Sequence, residues 1–293
     1  MIQYNPKAWF NLIFHSYSRH VLRTLTPVLI FMTVFTTVIC VGLLSYLHAS
    51  QAQFQGTSVV HSLLGIVLGL FLVFRTNSAY DRWWEGRKLW GGMVNSTRNL
   101  ALKINAYLPK HYMTERTYFA VMIPNFIYAT KEHLRRGVQF TELEEHEMLV
   151  MDDIKKVKHR PNKFASLIYE RINELYRRND FTGDQLINLD KEMKDLIDLM
   201  GACERIKNTP IPYSYSMYIK KFIFIYLITL PFGFIGTFGY FTIPTVLLVS
   251  FVLLSVELIA EEIEDPFGRD VNDLPTDELA GKIRDNVREI LIP

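Results

Sequence analysis

SVVHSLLGIVLGLFLVFRTNSAYDRWW, residues Ser58 to Trp84, passes from an apolar half into a charged, aromatic half with no proline at the junction. A single helix is therefore predicted to leave a lipid environment and continue into water. The apolar half, 58–74, is of the length that crosses a bilayer, roughly 17 to 25 residues. Three further runs read the same way, Pro27 to Tyr46, Phe222 to Phe238 and Ile243 to Ile259, and none of the four carries a Lys or Arg. The expectation is an all-α protein with four transmembrane helices in two close pairs, 27–46 with 58–74 and 222–238 with 243–259. Between the pairs lies a helical cytosolic region, 75–221, and short cytosolic segments, 1–26 and 260–293, flank them.

Composition agrees with a chain that is part membrane and part water-exposed: 49% of the 293 residues are hydrophobic and the mean hydropathy is +0.10. The first run starts too far along the chain for a secretory signal and is followed by another, so it is read as retained. Positive charge is kept on the cytosolic side of membranes. Lys7, Arg19 and Arg23 precede the first run, Arg75, Arg82, Arg87 and Lys88 follow the second, and Lys220 and Lys221 precede the third. The links 48–57 and 239–242 have neither Lys nor Arg. Both termini and the middle region are expected in the cytoplasm, with the protein a multi-pass component of the plasma (inner) membrane. A net charge of +2 gives no basic field for a nucleic-acid partner. Cys40 lies in the first run and Cys203 in the cytosolic region, which excludes a disulfide between them and fits a reducing compartment. The sequon Asn95-Ser96-Thr97 is a chance match on that side.

The middle region shows helical periodicity along 89–108, 117–134, 164–176 and 184–206, with breaks at Pro109, Gly137, Pro161 and Gly183 and a capping hydroxyl on Thr182. It contains no phosphate-cradling glycine loop, zinc-spaced histidine pair or dinucleotide fingerprint, and no enzyme activity is expected. His133 and His146, and the acids Glu142, Glu144, Glu145 and Glu147, read as solvated charge.

Ile66, Leu70 and Phe74 are spaced by four and stack along one face of the second run. Several copies of such a helix around an axis would turn these side chains into successive apolar rings, a hydrophobic constriction. Gly65 and Gly69, on an adjacent face, permit close approach of a neighbouring helix.

The segment FRTNSAYDRWWEGRKLWGG, Phe74 to Gly92, resembles the bestrophin channels, especially the bacterial ones. GACERIKNTPIPYSY, Gly201 to Tyr215, and EDPFGRDVNDLP, Glu264 to Pro275, agree with it in order and place. The resemblance implies a homopentamer around one central pore that passes small inorganic ions: chloride and other anions in the wider family, monovalent cations in bacterial members. It places the three neck residues on Ile66, Leu70 and Phe74 and a second, cytosolic constriction on Gln185 or Leu186. It also maps the calcium loop of the animal proteins onto Glu262, Asp265, Asp270 and Asp273. The interruption of that acidic run by Arg269, Val271 and Asn272 favours a role for Asp265, Asp270 and Asp273 in capping the C-terminal helix and satisfying loop amides, so no cofactor is expected to be required and calcium is not favoured. Arg75 and the acids after the fourth run pull in opposite directions on ion sign, which is left open. The alternative is a membrane-anchored scaffold or transporter whose cytosolic helices bind a partner. Its transporter form lacks midplane charge, since Glu257 near the end of the fourth run is the one Asp, Glu, Lys or Arg inside a span.

Overall fold

The computed structural model describes residues 16–46, 56–135 and 140–292, and every regular element among them is helical. In chain order these are α1 (Ser16–Val41), extended by a π-helical turn Gly42–Tyr46, α2 (Thr57–Tyr107), α3 (Met113–Leu134), α4 (Met151–Lys156) and α5 (Arg160–Arg177). There follow α6 (Gly183–Asn208), α7 (Tyr213–Phe238), α8 (Thr242–Glu264) and α9 (Thr276–Leu291). With nothing in the sequence to stop it at Phe74, α2 runs unbroken for 51 residues, about 77 Å at the usual helical rise. The expected 89–108 helix is thus its second half. Lys7, most of the uncharged link 48–57 and the break at Gly137 fall outside the described residues.

The chain divides into two compact units, Ile2–Arg82 with Pro210–Glu264, and Trp83–Thr209 with Asp265–Pro293. In the first, three helical stretches are long and apolar enough to cross a membrane: His20–Tyr46, α2 and Tyr213–Glu264. The last is two helices in series. Gly239, at φ 53°, takes the left-handed conformation that suits a residue without a Cβ, ending α7, and a 3₁₀ turn over Gly239–Phe241 leads into α8. Met32, Leu68, Leu72, Ile219, Ile223, Leu227, Leu230 and Val246 form the shared core of these helices.

Two glycines let the helices meet. A Cβ on Gly65 would lie 2.8 Å from Tyr226 Oη, and one on Gly233 would lie 2.5 Å from His61 Nδ1 and 2.6 Å from its Cγ. Gly69, by contrast, faces nothing within 4 Å in the chain, so of the two glycines expected to pack, Gly65 does so within the chain. Gly233→Ala is expected to cost ~1–3 kcal/mol by overpacking against a buried ring. Gly65→Ala should cost less, because the clash is with the tip of Tyr226. Gly69→Ala should be neutral or stabilising by up to ~1 kcal/mol, the helix-propensity gain. Melting of the detergent-solubilised variants would give this ranking.

The second unit is built on α3, which is buried along nearly its whole length. Its Phe119, Met122, Ile123 and Phe126 pack with Trp90, Met93, Leu100 and Ile104 of α2, Phe164 and Ile168 of α5, Leu189 and Met193 of α6, and Ile283 and Val287 of α9. Local chemistry starts the helices where the sequence placed them. Pro161 sits in the first turn of α5, and Thr182 and Gln185 form a reciprocal capping box at the start of α6. Cys40 and Cys203 are both free thiols, and burial pushes Cys203 up to about 12, which keeps it an unreactive thiol. The sequon lies inside α2 with Thr97 buried and its hydroxyl donating to Met93 O.

Charges expected to be solvated in this unit hold it together. Lys131, buried, donates to Asp277 at 2.7 Å and is also gripped by Glu142, and Arg135 takes both Asp277 oxygens at 2.7 and 2.9 Å. Glu144 pairs with Arg288, and its backbone is held at both ends by the buried Asn125 amide. Hydrogen bonding from Arg135 holds the Asp277 carboxyl well below the usual carboxylate range, with Lys131 adding to it against partial desolvation. A folded-state pKa below the unfolded one means stability that is complete above about pH 4 and is lost as pH falls below it. Asp277 is more than half exposed, so its share is about 1 kcal/mol after screening. Asp277→Asn should lower the melting temperature at neutral pH and flatten its acid limb.

Candidate pore-lining helix

The long helix α2 has two opposed faces. Leu68, Leu72, Arg75, Ala79, Gly86, Trp90, Met93, Thr97, Leu100 and Ile104 are buried, and successive members are three, four or seven residues apart. At 100° per residue all fall on one side of the helix. On the opposite side Ile66, Leu70 and Phe74 are 70%, 56% and 54% exposed, and Asn77, Asp81, Trp84 and Lys88 continue the exposed line. All of these lie within about 40° of Leu70 around the axis. The expected neck residues therefore do share a face, one that no other part of the chain covers among the described residues. Consecutive side chains of the trio are about 6 Å apart along the axis.

Directly behind Phe74 lies a buried ion group. Arg75 is 1% exposed; its Nη2 donates to Glu264 Oε2 at 2.7 Å and its Nε lies 3.6 Å from Glu257 Oε1. Glu264 is held in turn, its Oε1 accepting from the Ile211 amide at 2.9 Å and its backbone carbonyl from Arg82 Nε at 3.0 Å. Arg75 was expected to bear on the sign of the permeant ion. Instead it turns away from the exposed face and cross-links α2 to α8, while Glu257 pairs locally as its position suggested. Sequence spacing held the clue, since Arg75 is three and seven residues on from the buried Leu72 and Leu68.

The four acids of the expected calcium loop fall in both units, Glu262 in the first and Asp265, Asp270 and Asp273 in the second. Glu262 lies 3.6 Å from His20 in the membrane-type unit, and Asp265 pairs with Lys207. Asp273 is buried and its Oδ2 accepts the Asp270 amide at 2.6 Å, with Gly268 so close that a Cβ there would fall 2.6 Å from the same oxygen. Asp270 points outward. Carboxylates already engaged with a lysine and a backbone amide do not fit the six to eight oxygens that calcium requires. The loop-amide role expected of these acids is met by Asp273, while the N-cap of α9 is Pro275, which has no side-chain bond. They shape a structural loop. Phe267 is fully buried under Gly86, Arg135 Nε donates to Phe267 O, and Trp83 Nε1 donates to Asn272 O at 2.9 Å.

At the expected cytosolic constriction, Gln185 bends back so that its Oε1 accepts the Thr182 amide at 2.9 Å, and Leu186 packs against the core. The next residue, Ile187, is 69% exposed. Periodicity counted back from the buried Leu189 points to it as the outward apolar residue. His133 and His146 do not meet: His146 rests on the Tyr118 ring, while His133 shares the Glu204 carboxylate with His159, which sequence reading passed over.

Membrane-length helices, an uncovered apolar stripe on the longest of them and a buried charge group that leaves that stripe uncharged define an all-helical membrane protein. The family model described as bacterial/fungal bestrophin protein matches residues 1–289, and the chain belongs to that family. It is 37% identical over 270 residues to a voltage-dependent anion channel-forming protein of Nostoc sp., covering 88% of this chain and 86% of that one. It is 32% identical over 225 residues to the voltage-dependent anion channel-forming protein YneE of Escherichia coli K12, with 76% and 73% covered. Its fold matches a crystal structure of a bacterial bestrophin homolog from Klebsiella pneumoniae with a TM-score of 0.79 at 26% identity, over 90% of this chain and 97% of that one. The resemblance carried by the three sequence motifs is thus borne out along the chain.

Proposed function

We propose that the chain is the subunit of a homopentameric ion channel in the plasma (inner) membrane. In this reading α1, α2, α7 and α8 are four spans, both termini are cytoplasmic, and the α2 helices line the pore. The observation that carries it is the uncovered face of α2. Ile66, Leu70 and Phe74 form the neck as three apolar rings, and a second ring, at Ile187 in place of Gln185 or Leu186, narrows the cytosolic path. Tyr213–Glu264 supports two spans rather than one, because its 52 residues are about 78 Å of helix against a hydrocarbon core of about 30 Å. The names of the relatives support anions as permeant species. A second reading, cations, is favoured by one residue: Asp81 stands exposed on the neck face about 10 Å beyond Phe74, while Arg75 is neutralised inside the protein. No bound cofactor enters either reading, calcium included.

Purified protein in a planar bilayer should carry single-channel current, and its reversal potential in asymmetric salt assigns the sign. Asp81→Asn is expected to shift that potential toward greater anion preference. Silence of both wild type and a neck variant under a salt gradient would leave the scaffold reading, in which the cytosolic helices serve a partner and the spans only anchor them.

A further inference from the structure

On one surface of the helical unit three elements bring together His133 near the end of α3, His159 at the N-cap of α5 and Glu204 in α6. Their ligand atoms all lie within 4.8 Å of one another. Both imidazoles address the same oxygen, with His133 Nε2 and His159 Nε2 at 2.6 and 2.7 Å from Glu204 Oε1, and the rings lie 4.4 Å apart between centroids. We propose that His133, His159 and Glu204 form a binding site for a divalent transition-metal ion of the zinc type, which fastens α3, α5 and α6 together.

Two imidazole nitrogens and one carboxylate are a donor set that zinc favours over calcium or magnesium, with a water completing four-coordination. Each side chain is between a quarter and a third exposed, so an ion can enter and keep that water. Ligand atoms around a tetrahedral zinc stand about 3.3 Å apart, so the carboxylate has only to draw back by less than ~1 Å. The neighbouring Arg205 is drawn off to Glu85 at 2.7 Å, which leaves Glu204 to the imidazoles. His159 Nδ1 accepts the Asn162 amide at 3.2 Å, and its proton therefore sits on Nε2, facing Glu204. The metal takes the place of that proton. To stay neutral the ring then carries its proton on Nδ1 and gives up this long cap contact, so loading exchanges one weak bond at the start of α5 for a link across three helices.

The test uses full-length protein in detergent and zinc alone, titrated in competition with a chromogenic chelator. His159 is left in place because it also caps α5; His133→Gln and Glu204→Gln are compared with His146→Gln, a histidine outside the cluster. Wild type and His146→Gln should bind one ion per chain and melt at a higher temperature with zinc, whereas His133→Gln and Glu204→Gln should bind ~10-fold or more weakly and lose the thermal shift. Circular dichroism and elution volume establish that each variant is folded, and either one alone suffices. Absence of zinc binding to wild type, or binding that survives either substitution in a folded variant, overturns the assignment.

Discussion

Replacing Ile66, Leu70 and Phe74 together by alanine is expected to raise single-channel conductance about tenfold or more. That corresponds to lowering the permeation barrier by ~1.4 kcal/mol. An apolar ring obstructs ions because a narrow hydrocarbon aperture sheds water, and an ion without hydration does not pass. Shortening three side chains widens the aperture at three levels about 6 Å apart, so water and ions enter together. Folding should be little affected, because each of the three is more than half exposed in the chain. Leu64→Ala supplies the control: Leu64 is also exposed, but it lies about 120° around the helix from Leu70 and should leave conductance unchanged. Equal effects of the two changes would remove the neck from this face.

The second large effect belongs to Arg75. Arg75→Ala leaves the buried Glu257 and the partly buried Glu264 without their cation, a loss of ~3–5 kcal/mol. The variant is expected to melt far lower in detergent and to be recovered poorly. Arg75→Lys should be intermediate, since one ammonium cannot span the two carboxylates as a guanidinium fork does. Arg75→Met combined with Glu264→Gln should recover part of the loss, because the glutamine oxygen still accepts the Ile211 amide and one uncompensated charge is gone. If Arg75→Ala melts within about 1 kcal/mol of wild type, the group does not anchor α2.

What could be read from sequence follows from how local each feature is. The continuity of α2 depends on the absence of breakers around Phe74, and the start of α6 on Thr182 and Gln185 three residues apart, so both were legible. So was the exposed face shared by Ile66, Leu70 and Phe74, because four-residue spacing in one helix needs no knowledge of neighbours. Features set by what lies across from a residue were not. Arg75 reads as a mouth charge until Glu264, 189 positions later, is seen beside it. His159 has no meaning without His133 and Glu204, and sequence does not reveal the partners of the acids at 265–273, Lys207 and the Asp270 amide. Gln185 Oε1 turns back onto the Thr182 amide, and Ile187 is the exposed apolar residue of the same turn.

The unbroken α2 also fixes a count. Between Phe74, on the exposed side, and Trp90, on the buried side, the helix has no loop in which to absorb an added or missing residue. One residue more or fewer would rotate everything beyond it by about 100°, taking Phe74 and Trp90 off the opposed faces of α2 that they occupy. The number of residues from Phe74 to Trp90 is thus as tightly constrained as their identity, and drift in this stretch can proceed by substitution but not by change of length.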